Sequence, residues 1–351
     1  MAYTDIDDPS AYFQTKTYTG NGSARALTFD GNSDLQPDWV WIKKRSGGSA
    51  TSHVVTDVVR GLNKQLFINE AAAEESYTSV LTAFGSNGFS LSTAGLVNTN
   101  TNTYVAWNWK AGTSFTNDAS GTGIGSIDSA GSFNNDSGFS IVSYTGTGSN
   151  GTLKHGLNST PSTIIVKERG GDGNWIVYHS TLGNGKYLSL TDTGGAVTAS
   201  NYWNNTSPTS SVFTVGTTGN VNGSSKTYIA YCFADVKGYS KFGSYVGNGS
   251  SSGTFCYTGQ KSSFIMIKAT SGTENWRMYD NKRNGFNVDN EQLFPNLSNA
   301  EASDADLDIL SNGFKCRRNS GGFNNSGTTY IYMAFAENPF VTSSSVPATA
   351  R

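Results

Sequence analysis

An alternating run of large apolar residues recurs three times along the chain, beginning at Tyr104, Tyr228 and Tyr330. Each copy places large apolar side chains at every second position, which is the period of a strand with one face against a core. These faces consist of Val105, Trp107 and Trp109, then Ile229, Tyr231 and Phe233, then Ile331, Met333 and Phe335. The pattern predicts one strand per copy with a deeply buried face and a more lightly packed opposite face.

Three further patterns recur in the same order around this strand. One is a strand that runs into a Gly-x-Gly turn, one is a Phe-centred short strand, and one is a continuous apolar run closed by lysine. The closing lysines are Lys43, Lys167 and Lys268. A continuous apolar run indicates a strand buried on both faces, and the long lysine stem is expected to carry the charge out at the strand end.

The spacing of the copies predicts the domain boundaries. Lys43 and Lys167 are 124 residues apart, whereas Lys167 and Lys268 are 101 apart, so the extra residues lie between the first two copies. They coincide with a stretch rich in Gly, Ser and Asn, which has the composition of a linker. We predict module 1 with an N-terminal arm at 1–113, a linker at 114–138, module 2 at 139–237, module 3 at 238–340 and a C-terminal tail at 341–351.

The composition favours an all-β fold. The chain has 41 Gly, 12% aromatic residues and only 14% charged residues, which suits short strands joined by tight turns. We expect three tandem β-sandwich modules of jelly-roll or lectin-like type, because two packed sheets bury such strands. Helical signals are short, at 69–76 and 298–306, and their matching positions predict one short helix or loop per module.

Charge and cysteine content reduce the number of functional classes that fit the chain. The net charge is −2, and the short basic clusters at 43–45 and 317–318 are interpreted as solvated strand ends, so no nucleic-acid binding is expected. No apolar stretch is long enough to span a membrane. The first ten residues lack the pattern of a signal peptide. Three widely spaced cysteines do not suggest disulfides or a zinc site, and Cys232 is expected to be a buried apolar residue.

The sequence predicts no catalytic residue, cofactor or metal. His179 follows a strand, but Asp280 takes its place in module 3, so a shared general base is not indicated. Glu168 and Asp172 lie at strand ends without a matching acid for glycoside hydrolysis. The carboxylates at 304–308 alternate as in a calcium loop but lack its glycine and distal glutamate.

Aromatic rings in polar loops are candidates for stacking against sugar faces. Trp175 and Trp276 occupy the same slot in two modules and are predicted to be core residues. Trp203, next to Tyr202, lies in a polar loop and is the best candidate for an exposed stacking ring. Tyr202 and His179 complete the set of predicted ligand-binding residues.

Many ordered motifs resemble a repeat-containing virion protein family of marine tailed phages. The motifs lie at 37–43, 103–112, 238–249, 280–283 and 346–351. The resemblance implies a virion protein, tail-fibre-like, with lectin-like β-sandwich modules. The implied partners are other phage virion proteins, and the implied assembly is a homo-oligomer, with a trimer suggested by phage fibres.

The leading functional hypothesis is therefore a non-enzymatic protein on the virion exterior, a fibre or receptor-binding component that contacts a host surface glycan. A capsid decoration or head-fibre protein is an alternative, because the chain shows no long coiled-coil shaft. A depolymerase of host glycan is a second alternative, from the enzyme class.

Overall fold

The chain folds almost entirely into antiparallel sheets, as the computed structural model shows for residues 4–46, 50–77, 80–283, 287 and 289–350. The prediction of an all-β sandwich fold is confirmed. Regular helix in the described part is confined to short turns. None of the helices in that part is long and apolar enough to cross a membrane.

Module 1 contains a six-stranded and a three-stranded sheet. Its strands are β1 (Phe13–Thr19), β2 (Arg25–Thr28), β3 (Trp39–Lys44), β4 (Val54–Asp57), β5 (Lys64–Phe67), β6 (Glu75–Ser76), β7 (Leu81–Gly85), β8 (Gly88–Leu91) and β9 (Thr103–Trp109). The larger, inner sheet has the order β1-β9-β3-β4-β5-β6, and the outer sheet has the order β2-β8-β7.

Module 2 repeats this plan with two more strands in the inner sheet and one fewer in the outer sheet. Its strands are β10 (Thr113–Asn117), β11 (Ser129–Asn134), β12 (Phe139–Thr145), β13 (Gly151–Lys154), β14 (Thr163–Glu168), β15 (Ile176–His179), β16 (Lys186–Ser189), β17 (Val197–Thr198), β18 (Val212–Val215) and β19 (Thr227–Phe233). The inner sheet has the order β10-β11-β12-β19-β14-β15-β16-β17, and β13 pairs with β18 in the outer sheet.

Module 3 has two four-stranded sheets. Its strands are β20 (Ser240–Val246), β21 (Phe255–Tyr257), β22 (Gln260–Ala269), β23 (Arg277–Asp280), β24 (Asp289–Gln292), β25 (Ala302–Leu310), β26 (Gly313–Cys316) and β27 (Thr329–Pro339). The inner order is β20-β27-β22-β23 and the outer order is β21-β26-β25-β24. The helical turns of the chain are α1 (Gly95–Asn98), α2 (Ala119–Thr122), α3 (Ser200–Trp203) and α4 (Gly219–Asn222), with 3₁₀ turns at Pro9–Ala11 and Ser180–Leu182.

Each inner sheet is buried on both faces. On β9, Tyr104 and Ala106 face the core between the two sheets of module 1. Val105, Trp107 and Trp109 instead face a single apolar centre to which all three modules contribute. The prediction of a deeply buried large face is confirmed, whereas the prediction of a more lightly packed opposite face is wrong, because Tyr104 and Ala106 are as fully buried as Val105 and Trp107.

Aromatic rings from different modules meet directly in this shared centre. Trp39 of module 1 stacks on Tyr231 of module 2 at 4.4 Å between ring centroids. Phe335 of module 3 stacks on Phe13 of module 1 at 5.3 Å and meets Phe233 of module 2 edge-on at 5.8 Å. Such contacts add to the burial of the rings themselves, so the three modules form one closed unit around the centre.

One hydrogen bond recurs at all three seams between modules. Trp175 Nε1 donates to the carbonyl of Phe67 at 2.9 Å, and Trp276 Nε1 donates to that of Ser189 at 2.8 Å. His53 Nε2 lies 3.0 Å from the Phe294 carbonyl, which closes the ring from module 3 back to module 1. The burial of Trp175 and Trp276 confirms their prediction as core residues.

The strand-end lysines are predicted to extend their charges into solvent, but the structure shows them inside the fold. The ammonium group of each lysine donates a hydrogen bond to a backbone carbonyl across a seam. Lys167 donates to Ala71 at 2.9 Å, Lys268 to Thr193 at 2.8 Å, and Lys43 to Ser298 at 2.9 Å. All three lysines are fully buried, and burial lowers the pKa of each to about 8. The same contacts overturn the interpretation of 43–45 as a solvated strand end.

The segment predicted as a linker at 114–138 is part of module 2. It contributes β11, which pairs with β12 from Ser129 opposite Tyr144 to Asn134 opposite Phe139. It also contributes most of β10, which pairs with β11. Glycine and serine content suggested a flexible connection, but small residues also allow a strand to approach its neighbour closely.

The segments 69–76 and 298–306, predicted as a short helix or loop, form loops that lead into β6 and β25. Both segments cross a seam, where Glu74 binds Arg169 at 2.9 Å and Glu301 binds Arg45 at 2.8 Å. The backbone amides of both glutamates donate to the carbonyls of the same arginines. These pairings outweigh the weak helical propensity of the sequence.

Phe335→Ala should destabilise all three modules, because the ring contacts residues of each module in the shared centre. We expect a loss of about 3–5 kcal/mol in urea unfolding, with faster hydrogen exchange in every module. Val197→Ala, at an exposed position, is the control and should change neither. Faster exchange confined to module 3 would contradict the shared centre.

Candidate functional site

Trp203, the predicted stacking ring, is buried. Its side chain is 1% exposed, and its Nε1 donates to the Lys186 carbonyl at 3.0 Å. The ring packs edge-on against Tyr178 in the core of module 2. The prediction of an exposed ring is wrong, because α3 turns this polar loop inward and places the indole beneath it.

Tyr202 and His179 are buried as well. Tyr202 stacks on Tyr187, and its hydroxyl accepts a hydrogen bond from Asn220 at 2.9 Å. His179 Nε2 lies 3.3 Å from the carbonyl of Tyr332 in module 3. Burial lowers the pKa of His179 to about 4, which keeps the ring neutral. None of the three predicted ligand-binding residues offers its side chain to an external ligand.

The position of His179 belongs to the seams in all three modules. Its equivalent in module 1, Asp57, binds the buried Arg60 at 2.5 Å and accepts from the Tyr231 hydroxyl at 2.7 Å.

The equivalent in module 3, Asp280, binds Arg283 at 2.6 Å and accepts from Trp107 Nε1 at 3.0 Å. From the sequence, ligand binding is predicted for His179, whose position differs between the modules. The structure instead uses the residues at this position to satisfy polar groups between modules.

The remaining candidate groups for chemistry are held inside the fold. Burial raises the pKa of the Cys232 thiol to about 12, which leaves it unreactive at neutral pH. Glu168 pairs with Lys226 at 3.0 Å. Asp306 of the 304–308 run lies in β25 and is bound by Arg318 at 2.6 Å. Among the described residues, no group of three His, Cys, Asp or Glu side chains is placed to hold a metal.

A surface feature of module 3 is the strongest candidate site. Val246, Phe255 and Tyr257 are 54%, 45% and 60% exposed, so three large apolar side chains that are open to solvent lie close together in the sequence. Val246 ends β20 and the two aromatics lie on β21. We call β20 and β21, with these three side chains, the open flank.

Both strands of the open flank, β20 and β21, are edge strands of their sheets. Phe255 and Tyr257 point away from the core, while Cys256 between them points inward. The corresponding outward positions are Ala26 and Thr28 in module 1 and Thr152 and Lys154 in module 2. A position-by-position comparison of β21 with β2 and β13 would therefore have revealed this surface from the sequence.

A groove of about 460 Å³ runs beside the open flank. Its walls include Lys241, Tyr257, Gly259 and Phe340. At its mouth, Lys241 Nζ lies 3.4 Å from the carboxylate of Asp235. The groove thus combines an aromatic wall with a charged pair, which is the mixture of surfaces found in small recognition sites.

Polar side chains lie on the strand next to the aromatic pair. Lys315 of β26 is opposite Phe255 across the sheet, and Asp308 of β25 is opposite Lys315. Lys315 Nζ donates to Ser252 Oγ at 3.3 Å, and Asp308 pairs with Arg317 at 3.3 Å. The flank can therefore offer ring faces, a cation and a carboxylate to a bound molecule.

A protein family described as a domain of unknown function, DUF7483, matches residues 8–339. The match spans nearly all of the 351 residues, so the chain belongs to this family. No curated protein matches the chain.

His179→Gln should reduce the acid sensitivity of the fold. The folded pKa is about 4 against an ordinary value of 6.5, so only the unfolded chain takes up this proton between those values. The stabilisation that the neutral, buried His179 gives to the fold is present above pH 6.5 and is lost as the pH falls toward 4. Each such histidine contributes up to about 1.4 kcal/mol per pH unit.

Urea unfolding at several pH values between 7.5 and 4.5 measures this slope. The variant should lose stability less steeply than the parent, whereas Val197→Ser, which leaves every histidine in place, should match the parent. Equal slopes for parent and His179→Gln would show that His179 takes up its proton in the folded protein.

Proposed function

We propose that this member of the DUF7483 family is a non-enzymatic structural protein on the exterior of a bacteriophage virion, and that its open flank binds a host surface glycan. The exposed aromatic pair Phe255 and Tyr257 is the observation that carries the binding role. The virion role is supported by the sequence motifs that resemble the marine phage family.

The geometry of the aromatic pair suits a sugar chain. Phe255 and Tyr257 are two residues apart on one strand face, which separates their Cα atoms by about 7 Å. Sugar rings present apolar C–H faces that pack on such rings. Lys315 lies opposite Phe255 and is close enough to hydrogen-bond the hydroxyls or acidic groups of the same glycan.

Affinity at one such site is expected to be weak, because the surface is shallow and open to water. Presentation of many copies on a virion would raise the effective concentration of sites and make attachment strong. The rigid packing of module 3 against the other two modules would hold the flank in a fixed orientation on the particle.

A capsid decoration or head-fibre protein is the second candidate. One chain builds a complete ring of three modules around its own centre. Such a unit could seat on a particle surface as a self-contained body. Labelling of intact phage with an antibody to this chain distinguishes the two roles by showing head or tail.

The double variant Phe255→Ser/Tyr257→Ser should bind host cells or purified host lipopolysaccharide about tenfold more weakly, from the loss of two stacking contacts. Val197→Ser removes a comparably exposed apolar side chain from module 2 and should bind as the parent does. Circular dichroism should show the same fold in all three proteins.

Unchanged binding by the double variant would contradict the assignment of the open flank. The absence of the chain from purified virions by mass spectrometry would contradict the virion role. Release of new reducing ends from the host glycan would show an enzyme instead.

A further inference from the structure

We propose that a pocket at the seam between modules 1 and 3 binds one neutral sugar residue. The pocket has a volume of about 180 Å³, and its walls include Phe13, Thr15 and Asp30 of module 1 and Lys282 and Glu337 of module 3. We call it the seam pocket. It shares no residue with the open flank, so the inference goes beyond the glycan binding proposed there and does not rest on it.

The seam pocket lies at the edge of the inner sheet of module 1, where β1 is the last strand. The Tyr12 carbonyl accepts from the Lys110 amide at 3.0 Å, and the Gly20 amide donates to the Asn102 carbonyl at 2.8 Å. Backbone groups alternate between the two sides of a strand in an antiparallel pair. The amide and carbonyl of Thr15, three residues after Tyr12, therefore point away from β9.

The equivalent position is covered in the other two modules. In module 2, Ile141 takes the place of Thr15 and pairs with Ser132 of β11. In module 3, Phe242 takes this place, and its amide donates to the Asp235 carboxylate of module 2 at 2.8 Å. Ile141 and Phe242 also fill space in the shared apolar centre. Thr15 is smaller and polar, so this edge differs from the other two in both size and chemistry.

The carboxylate that could cover Thr15 in the same way is bound elsewhere. Glu337 of module 3 has the position that Asp235 has in module 2, but its carboxylate pairs with Lys261 at 2.8 Å. In the described part of the chain, neither the hydroxyl nor the outward backbone groups of Thr15 have a hydrogen-bond partner. Thr15 is only 4% exposed, and a buried polar group without a partner is costly. A ligand that hydrogen-bonds to Thr15 would remove this cost.

The charged side chains of the seam pocket are already paired. The Asp30 carboxylate lies 3.2 Å from Lys16 Nζ and 3.3 Å from Lys282 Nζ, and Glu337 is bound by Lys261. A charged ligand would therefore enter a polar pocket whose own charges balance, and burial of its charge would be costly. The walls favour a ligand that is polar and neutral.

A sugar residue has the groups that these walls require. Each hydroxyl can both donate and accept, so one sugar can accept from the Thr15 amide and donate to the Thr15 carbonyl or to a carboxylate. Phe13 and Ala336 supply apolar wall for the C–H groups of the sugar. A volume of about 180 Å³ suits one pyranose ring, so we expect a single sugar residue in the pocket.

Saturation-transfer NMR with the full chain tests the proposal. The neutral probes are D-glucose, D-galactose, L-rhamnose and N-acetyl-D-glucosamine, and at least one of them should receive saturation. D-glucuronate and D-glucosamine, which carry a charge, should bind about tenfold more weakly than the neutral sugar. The methyl glycoside of the bound sugar distinguishes the two sources of this chemistry: it should bind if the pocket takes the end of a glycan chain and fail to bind if it takes a free sugar.

Variants locate the bound sugar. Thr15→Ile introduces the side chain of module 2 and should weaken binding about tenfold by filling part of the pocket. Asn32→Phe, at an exposed residue of the pocket wall, should weaken it as well. Thr152→Ile makes the matched change on module 2 and should bind as the parent does. Phe255→Ser/Tyr257→Ser should keep the sugar contact that Thr15→Ile loses, and circular dichroism checks the fold of each protein.

Three results would overturn the proposal. The first is saturation of none of the neutral sugars, and the second is unchanged binding by both Thr15→Ile and Asn32→Phe. The third is tighter binding of glucuronate or glucosamine than of every neutral sugar, which would show an ionic ligand. A loss confined to Phe255→Ser/Tyr257→Ser would also reject the seam pocket, but it would support glycan binding at the open flank, so the two proposals fail separately.

Discussion

The aromatic centre shared by the three modules is the constraint on which the rest of the structure depends. Trp39, Tyr231 and Phe335 come from different modules and pack within one cluster. The inner sheets are therefore buried on both faces, and polar groups at the seams are shielded from water. Trp175, Trp276 and the three buried lysines hydrogen-bond to backbone carbonyls of the neighbouring module. Asp57 and Asp280 accept hydrogen bonds across the seams from Tyr231 and Trp107.

The seams explain why the modules differ where they do. Two seams use a carboxylate with a buried arginine, at Asp57 with Arg60 and at Asp280 with Arg283. The third uses the neutral His179 against a carbonyl. These replacements keep each buried polar group satisfied, so their variation reflects packing between modules. On the surface, the open flank of module 3 differs from the other two modules at Phe255 and Tyr257.

The sequence predicted the strands and the threefold repeat well, because the two-residue period and the Gly-x-Gly turns are local signals. It could not tell which neighbour covers each strand face, since Trp107 and Tyr104 are both apolar and both buried. The exposure of Trp203 was wrongly predicted because a polar loop can still fold its large rings inward, here those of Tyr202 and Trp203. The segment at 114–138 was wrongly predicted as a linker because small residues occur both in linkers and in closely packed strands. The open flank was within reach, because the positions of Phe255 and Tyr257 are small or polar in the other two modules.

Scanning calorimetry of the full chain tests most directly whether the three modules are one unit. A shared centre predicts a single transition whose calorimetric enthalpy equals its van't Hoff enthalpy, since no module can keep its inner sheet buried after another unfolds. Two or three separate transitions, or a calorimetric enthalpy several times the van't Hoff value, would contradict the account.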